Sequence, residues 1–272
     1  MQEIAMIKLI AFDMDESFMP RKGFYERERW ARDFDLLRAK GIRVLPISGD
    51  QYQQVADFFP MKDEMTIGGL NGSVIFEKGQ LIKADEIDRS MVQKIMQIIA
   101  ENGLAQRTML CGINYCYFLE QADPAFRERM NFYFSHNQNV SSFLPLPDDK
   151  FTEIVIVPGT DRMDETEEKL KAVCAEKLQI FNSGVTSIDI LQPEVSKGNS
   201  LKWLASRYDL SPEEIMAFGD GLNDIEMLKF AGQSYAMKNA REEVKEAAKF
   251  VTKLPAAENG VLDTIEKEVL GM

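Results

Sequence analysis

Short apolar runs rich in strand formers alternate with segments of helical spacing at both ends of this 272-residue chain, and the alternation is interrupted between about residues 85 and 186. Near the start, "MIKLIAF" is a buried-strand pattern, and "FYERERWARDFDLLRAKG" puts Trp30, Phe34 and Leu37 on one helical face before stopping at Gly41. "IRVLPIS" is a second strand pattern and "QYQQVADFF" a second helical one, followed by short strands with glycine and Asn-Gly turns in "MTIGGLNGSVIFEKGQLIKA". The rhythm returns from Thr186 with "TSIDILQP", the helical "SKGNSLKWLASRYDL" and "SPEEIMAFGDGLNDIEMLKFAG", where Ser211-Pro212-Glu213-Glu214 is a helix-start signature. The helical patterns "EEVKEAAKFV" and "VLDTIEKEVLG" follow. A strand–helix alternation of this kind points to an α/β fold, a parallel sheet with covering helices. The intervening stretch mixes helical segments such as "RSMVQKIMQIIAENG" with strand-rich ones such as "QRTMLCGINYCYFLE" and "FTEIVIVPG", enough for a second compact α+β unit. The expected division is residues 1–84 with 187–272 for the first unit and 85–186 for the insert.

Composition removes several classes of function. A net charge of -12 argues against sequence-independent nucleic-acid binding, because phosphate backbones attract basic faces. No apolar run approaches a membrane-spanning length, and the N-terminus lacks a basic segment followed by an apolar signal core, so a cytoplasmic location without membrane partners is expected. The charge leaves the oligomeric state open. Three cysteines without metal-ligand spacing read as free thiols. The one histidine, His136, lies in a polar stretch without a nucleophile motif and reads as solvent-exposed. The chemistry is therefore to be sought among carboxylates, lysines and hydroxyls.

Two strand patterns end in acids. "LIAFDMDESF" runs four apolar residues into Asp13 and Asp15, with Glu16 and Ser17 behind them. Like charges about 4 Å apart at an effective dielectric near 20 repel by roughly 4 kcal/mol per pair, so a counter-charge is needed. "AFGDGLND" likewise ends in Asp220, Asn223 and Asp224. Parallel α/β sheets bind ligands beyond the carboxyl ends of their strands, so adjacent strands would gather Asp13, Asp15, Asp220 and Asp224 into a hard-cation site, most naturally for Mg²⁺. Two further spots suit an anion. "LPISGD" ends a strand with the Ser48 hydroxyl and with Gly49, whose amide can approach a phosphate closely. "VSKGNS" puts Lys197 at a helix start, where the ammonium and the helix dipole both favour negative charge. Taken singly, an Asp-x-Asp turn, a Ser-Gly turn, a surface lysine or an acidic loop has an ordinary structural account. Their order along the chain, each at a strand end or helix start, turns them toward phosphoryl transfer.

"DMDES", "SGD", "SKGNSL" and "FGDGLNDIEML" resemble the four motifs of the haloacid dehalogenase-like hydrolase superfamily, and within it the Cof-type phosphatases. The similarity extends to "GGLNGSVIF", "AMKNAREEVKEAAKFVT" and "AENGV". It implies a Rossmann-like parallel sheet core with an inserted α+β cap domain of the class IIB kind. It further implies a Mg²⁺-dependent phosphomonoester hydrolase acting on small phosphorylated metabolites, sugar phosphates or similar, through an aspartyl-phosphate. By that resemblance Asp13 is the nucleophile and Asp15 the general acid and base, whose backbone carbonyl also meets the metal. Asp220 and Asp224 complete the metal site, and Met14 (through its backbone), Ser48, Gly49, Lys197 and Asn223 hold the phosphoryl oxygens. Tyr115, Tyr117 and Arg107 are unranked candidates for specificity within the insert. Two positions depart from the family pattern. Glu16 stands where glycine is usual, which implies strain of about 1–3 kcal/mol if the turn is left-handed, and Asp50 stands where arginine is frequent. The alternatives are a phosphomutase on the same scaffold, a binding protein with catalysis blunted by those two acids, and a signalling receiver, for which the chain is far too long.

Overall fold

The computed structural model describes residues 6–174, 177–183 and 187–272. The chain divides into two compact units, Met1–Leu81 with Ser196–Met272, and Ile82–Val195.

The first unit is built on a five-stranded parallel sheet in the order Phe250–Val251, Gln233–Ala236, Ile215–Gly219, Leu9–Phe12, Arg43–Pro46. Leu9–Phe12 and Ile215–Gly219 are wholly buried, as near-continuous apolar strands of a parallel sheet are. They lie side by side with Leu9 opposite Ile215 and Phe12 opposite Phe218, so both acidic strand ends emerge at one edge. Helix Arg27–Ala39 buries Trp30, Phe34 and Leu37, the residues its spacing singled out. Trp30 sits with Phe12, Phe18, Tyr25 and Phe59 in one aromatic cluster; Phe18 stacks on Phe12 at 4.6 Å and meets Trp30 edge-on at 5.1 Å. Burying such rings is worth roughly 1.5–3 kcal/mol each, which pins the turn after Asp15 to the core. A small sheet, Thr66–Gly69, Val74–Glu77 and Gln80–Ala84, follows, and Gly68 bridges to Ile47.

The second unit has a six-stranded sheet in the order Gln179–Ser183, Ser187–Leu191, Phe151–Ile156, Thr108–Gly112, Cys116–Leu119, Asn137–Val140, antiparallel except for its last pair. Helices Arg89–Glu101 and Met163–Cys174 pack with one face of it through Val92, Ile95, Ile99 and Leu170 against Leu110, Ile154 and Ile190.

Two local expectations change. Ser187–Leu191, read as the return of the first unit's rhythm, pairs with Phe151–Ile156 and belongs to the insert's sheet; the expected boundary at 186 itself falls outside the described residues. An apolar run looks the same in either sheet, and only its pairing distinguishes them. The Ser211 signature opens not a helix but one 3-10 turn, Pro212–Glu214. The Glu214 carboxylate accepts from the Ser211 amide at 2.9 Å, and the β-rich "IMAF" then takes the chain straight into a strand.

Candidate active site

At the carboxyl ends of the two central strands, Asp13 and Asp224 share one cation. The Lys197 ammonium donates to Asp13 Oδ1 and, at 2.7 Å, to Asp224 Oδ1. Lys197 is only 1% exposed although it opens the helix Lys197–Arg207, because Gly198 beside it lets the helix press against Glu226. The Asp224 carboxylate also receives the amides of Asp220 and Gly221 at 3.0 and 2.9 Å, which fixes the loop. A Cβ on Gly219 would stand 2.4 Å from Asp224 Cβ, so this approach requires a glycine there. Asp220 is half-buried and accepts from the Ser17 hydroxyl at 2.7 Å, which ties the two acidic strand ends together.

Burial drives the Asp13 carboxyl well above its ordinary value; Lys197 opposes the shift, and Asp224 and Asp220 add to it. Burial also pushes Asp220 up to about 6, with Ser17 opposing and Asp224 and Glu16 assisting. For Lys197, burial alone would favour the neutral amine, but Asp13 and Asp224 outweigh it and hold the ammonium charged. One oxygen from each of Asp13, Asp220 and Asp224 lies within 4.8 Å of the others. Three carboxylates against one ammonium leave negative charge over, and the donors are all hard oxygens. That set fits a hard divalent cation.

The remaining expected residues are arranged around this cluster. Asp15 points its carboxylate to Lys22 at 3.4 Å, and its turn is closed by Glu16 N–H to Met19 O at 2.9 Å and Met19 N–H to Met14 O at 2.7 Å. The Met14 side chain is fully buried. Ser48 accepts the Asp50 amide at 3.0 Å through its hydroxyl. Its carbonyl accepts the Asn71 amide at 2.9 Å, and Asn71 Oδ1 accepts from Asn223 Nδ2 at 3.0 Å. Asn71 thus ties the Ser48–Gly49 turn to the 220–224 loop, while Gly72 O accepts from Ser200 on the Lys197 helix at 2.8 Å. Sequence reasoning did not assign Asn71 or Lys22 to the site. The Asn-Gly pair was a signal for Asn71, which adopts φ 54 in its turn; nothing local marks Lys22. Glu16 has φ 59, so the turn at which the resemblance leads one to expect glycine is left-handed. In the insert, Arg107 pairs with Asp123 at 3.2 Å, Tyr117 donates to Asp149 at 3.0 Å, and the exposed His136 stacks on Tyr115.

A family profile described as haloacid dehalogenase-like hydrolase matches residues 10–265. The chain belongs to that family. It is 32% identical over 262 residues to 5-amino-6-(5-phospho-D-ribitylamino)uracil phosphatase YbjI of Escherichia coli (strain K12), covering 96% of each. It is 27% identical to phosphoglycolate phosphatase of Methanobrevibacter smithii over 74% of this chain and 76% of that one. The crystal structure of SMU.1108c from Streptococcus mutans UA159 superposes with a TM-score of 0.83 at 31% identity, over 97% of this chain and 99% of that one. Among the described residues, no helix is long and apolar enough to cross a membrane.

Proposed function

We propose that this phosphatase is a Mg²⁺-dependent phosphomonoester hydrolase that works through an aspartyl-phosphate on Asp13. The observation that carries the reading is the buried trio of Lys197 between Asp13 and Asp224 with Asp220 alongside, a nucleophile, a cation and a metal-capable acid set at one point. Asp13, Asp220 and Asp224, with the Asp15 carbonyl, would hold Mg²⁺, whose charge when bound supplies the attraction for phosphoryl oxygens that an acidic site lacks.

The protein's own groups do the rest. A carboxylate oxygen of Asp13 attacks phosphorus, the P–O bond to the leaving group breaks, and the Asp15 proton passes to the departing alkoxide. Asp15, now a carboxylate, takes a proton from water; that water's oxygen attacks the aspartyl-phosphate, the bond from phosphorus to Asp13 breaks, and phosphate leaves. Ser48, Gly49, Lys197, Asn223 and the Met14 backbone would bind the phosphoryl oxygens, and the insert would act as the cap that excludes bulk water and selects the leaving group.

The proposed substrate class is a small phosphorylated polyol or sugar in the cytoplasm. The Escherichia coli relative, named for a phosphorylated ribityl compound, supports that class. The test is phosphate release from p-nitrophenyl phosphate and a panel of sugar and polyol phosphates, with and without Mg²⁺, for the native chain and Asp13→Asn. Turnover that needs Mg²⁺ and vanishes in the variant is expected; Mg²⁺-independent turnover, or turnover that survives in Asp13→Asn, overturns the reading. Phosphate moved between positions of one sugar instead of released would favour the phosphomutase alternative.

A further inference from the structure

Lys22 and Asp50 form a buried ion pair beside Asp15 that none of the assigned roles uses. The Lys22 ammonium lies 2.6 Å from Asp50 Oδ2 and 3.4 Å from Asp15 Oδ2, and the Lys22 and Asp50 side chains are 11% and 3% exposed. Both ends of the pair are held by backbone. Lys22 stands in a tight turn closed by Phe24 N–H to Arg21 O at 2.9 Å, between Met19, fully buried, and Tyr25 in the aromatic cluster. Asp50 gives its amide to Ser48, accepts the Leu70 amide on its carbonyl at 2.8 Å, and receives Gln54 Nε2 on its carboxylate at 3.4 Å. The short contact therefore anchors the ammonium at Asp50, and the longer one leaves it beside Asp15 without sequestering that carboxyl.

We propose that Lys22, anchored by Asp50, is a positioning residue that aims the Asp15 carboxyl at the leaving oxygen. The inference rests on Asp15 being the general acid. A lysine that merely neutralised buried Asp50 would need no second carboxylate within reach. Here the same ammonium faces both, and without it Asp15 and Asp50 would confront each other as like charges. Asp50, at the place where the resembled family often has arginine, is in this chain the anchor for a lysine arriving from a different loop.

The experiment separates aiming a proton donor from holding the fold. Proton donation matters for an alkyl phosphate, whose alkoxide needs a proton to depart. It matters little for p-nitrophenyl phosphate, whose phenolate leaves without one. Lys22→Met, Lys22→Arg, Asp50→Asn and the Lys22→Met/Asp50→Asn double variant are compared with the native chain on ribose 5-phosphate and p-nitrophenyl phosphate, with thermal unfolding measured for each. The double variant removes both charges of the pair, so it folds even if Lys22→Met does not. The expected result is a fall of about tenfold or more in kcat/KM on ribose 5-phosphate in the double variant, because kcat/KM ends at aspartyl-phosphate formation and excludes the later water step in which Asp15 is the base. On p-nitrophenyl phosphate kcat/KM changes less than about threefold by the same reasoning, and Lys22→Arg recovers most of the loss on ribose 5-phosphate. Native kcat/KM on ribose 5-phosphate in the double variant, or equal losses of kcat/KM on the two probes, overturns the proposal. Failure of the underlying reading shows separately: Asp15→Asn keeps full turnover of ribose 5-phosphate, or the native chain turns over neither probe.

Discussion

Glu16 carries a left-handed backbone, φ 59, in the turn between the two catalytic candidates and Ser17. A non-glycine residue there costs about 1–2 kcal/mol, whereas glycine would add about 0.5–1 kcal/mol of unfolded-state entropy. The first effect is the larger, and Asn239 bonds the Glu16 carbonyl at 2.8 Å, a contact glycine would keep. Glu16→Gly is therefore expected to raise the melting temperature by a few degrees at most. Removing this acid relieves one of the charges that push Asp220 up, but it takes away more attraction for a dication than for a proton, so Mg²⁺ should bind more weakly; calorimetric unfolding and Mg²⁺ titration check the two halves. At Asp13, replacement by asparagine keeps the volume but removes the proposed nucleophile. Turnover should drop by at least about a thousandfold while folding is retained, as read by steady-state rates alongside circular dichroism.

At the scale of elements, the site depends on two strand ends being held side by side, Phe12 opposite Phe218. Gly219 is the last residue of its strand, and its missing Cβ is where Asp224 sits. Gly219→Ala is expected to push the 220–224 loop off the Lys197 helix, with a stability loss of about 1–3 kcal/mol and a weaker Mg²⁺ response. Denaturant midpoints with and without Mg²⁺ measure it, and an unchanged Mg²⁺ response would separate the loop from the metal. Phe18 plays the matching part on the other strand, since its ring stacks on Phe12 and meets Trp30 and so ties the acidic turn to the sheet. Phe18→Ala should cost about 3–5 kcal/mol.

For the whole molecule, the clustered acids link stability to pH and metal. Asp13 and Asp220 both titrate above their ordinary value in the folded chain, Asp220 at about 6, and burial is the main cause. Burial likewise carries Asp50 to about 6 against the pull of Lys22. A carboxyl raised on folding contributes stability that is fully present below its unfolded value, 3.8, and is lost as pH climbs through about 6. In a chelator, the contribution of these groups to the melting temperature should therefore fall across that window, and Asp220→Asn should flatten part of the decline. Metal ligands must lose their protons, so stabilisation by Mg²⁺ should grow through the same window. At a hundredfold excess over its dissociation constant it amounts to about 2.7 kcal/mol. Melting curves against pH, with and without Mg²⁺, read both slopes.

Much of this was legible in the chain itself. The alternation of strand and helix patterns, the apolar runs ending in acids and the start of the Lys197 helix follow from local periodicity and capping, which the backbone obeys wherever the segment ends up. The family resemblance marked Glu16 as standing where glycine is usual, and its φ of 59 is a glycine-type conformation. Tertiary structure decided the neighbours. It put Leu9–Phe12 beside Ile215–Gly219, so that Ser17 could reach Asp220 across 203 positions of sequence. It assigned Ser187–Leu191 to the insert's sheet, stitched two loops through Asn71, and brought Lys22 to Asp50. Strand partners and buried ion pairs depend on which surfaces meet when the whole core is packed, and no window of sequence contains both surfaces.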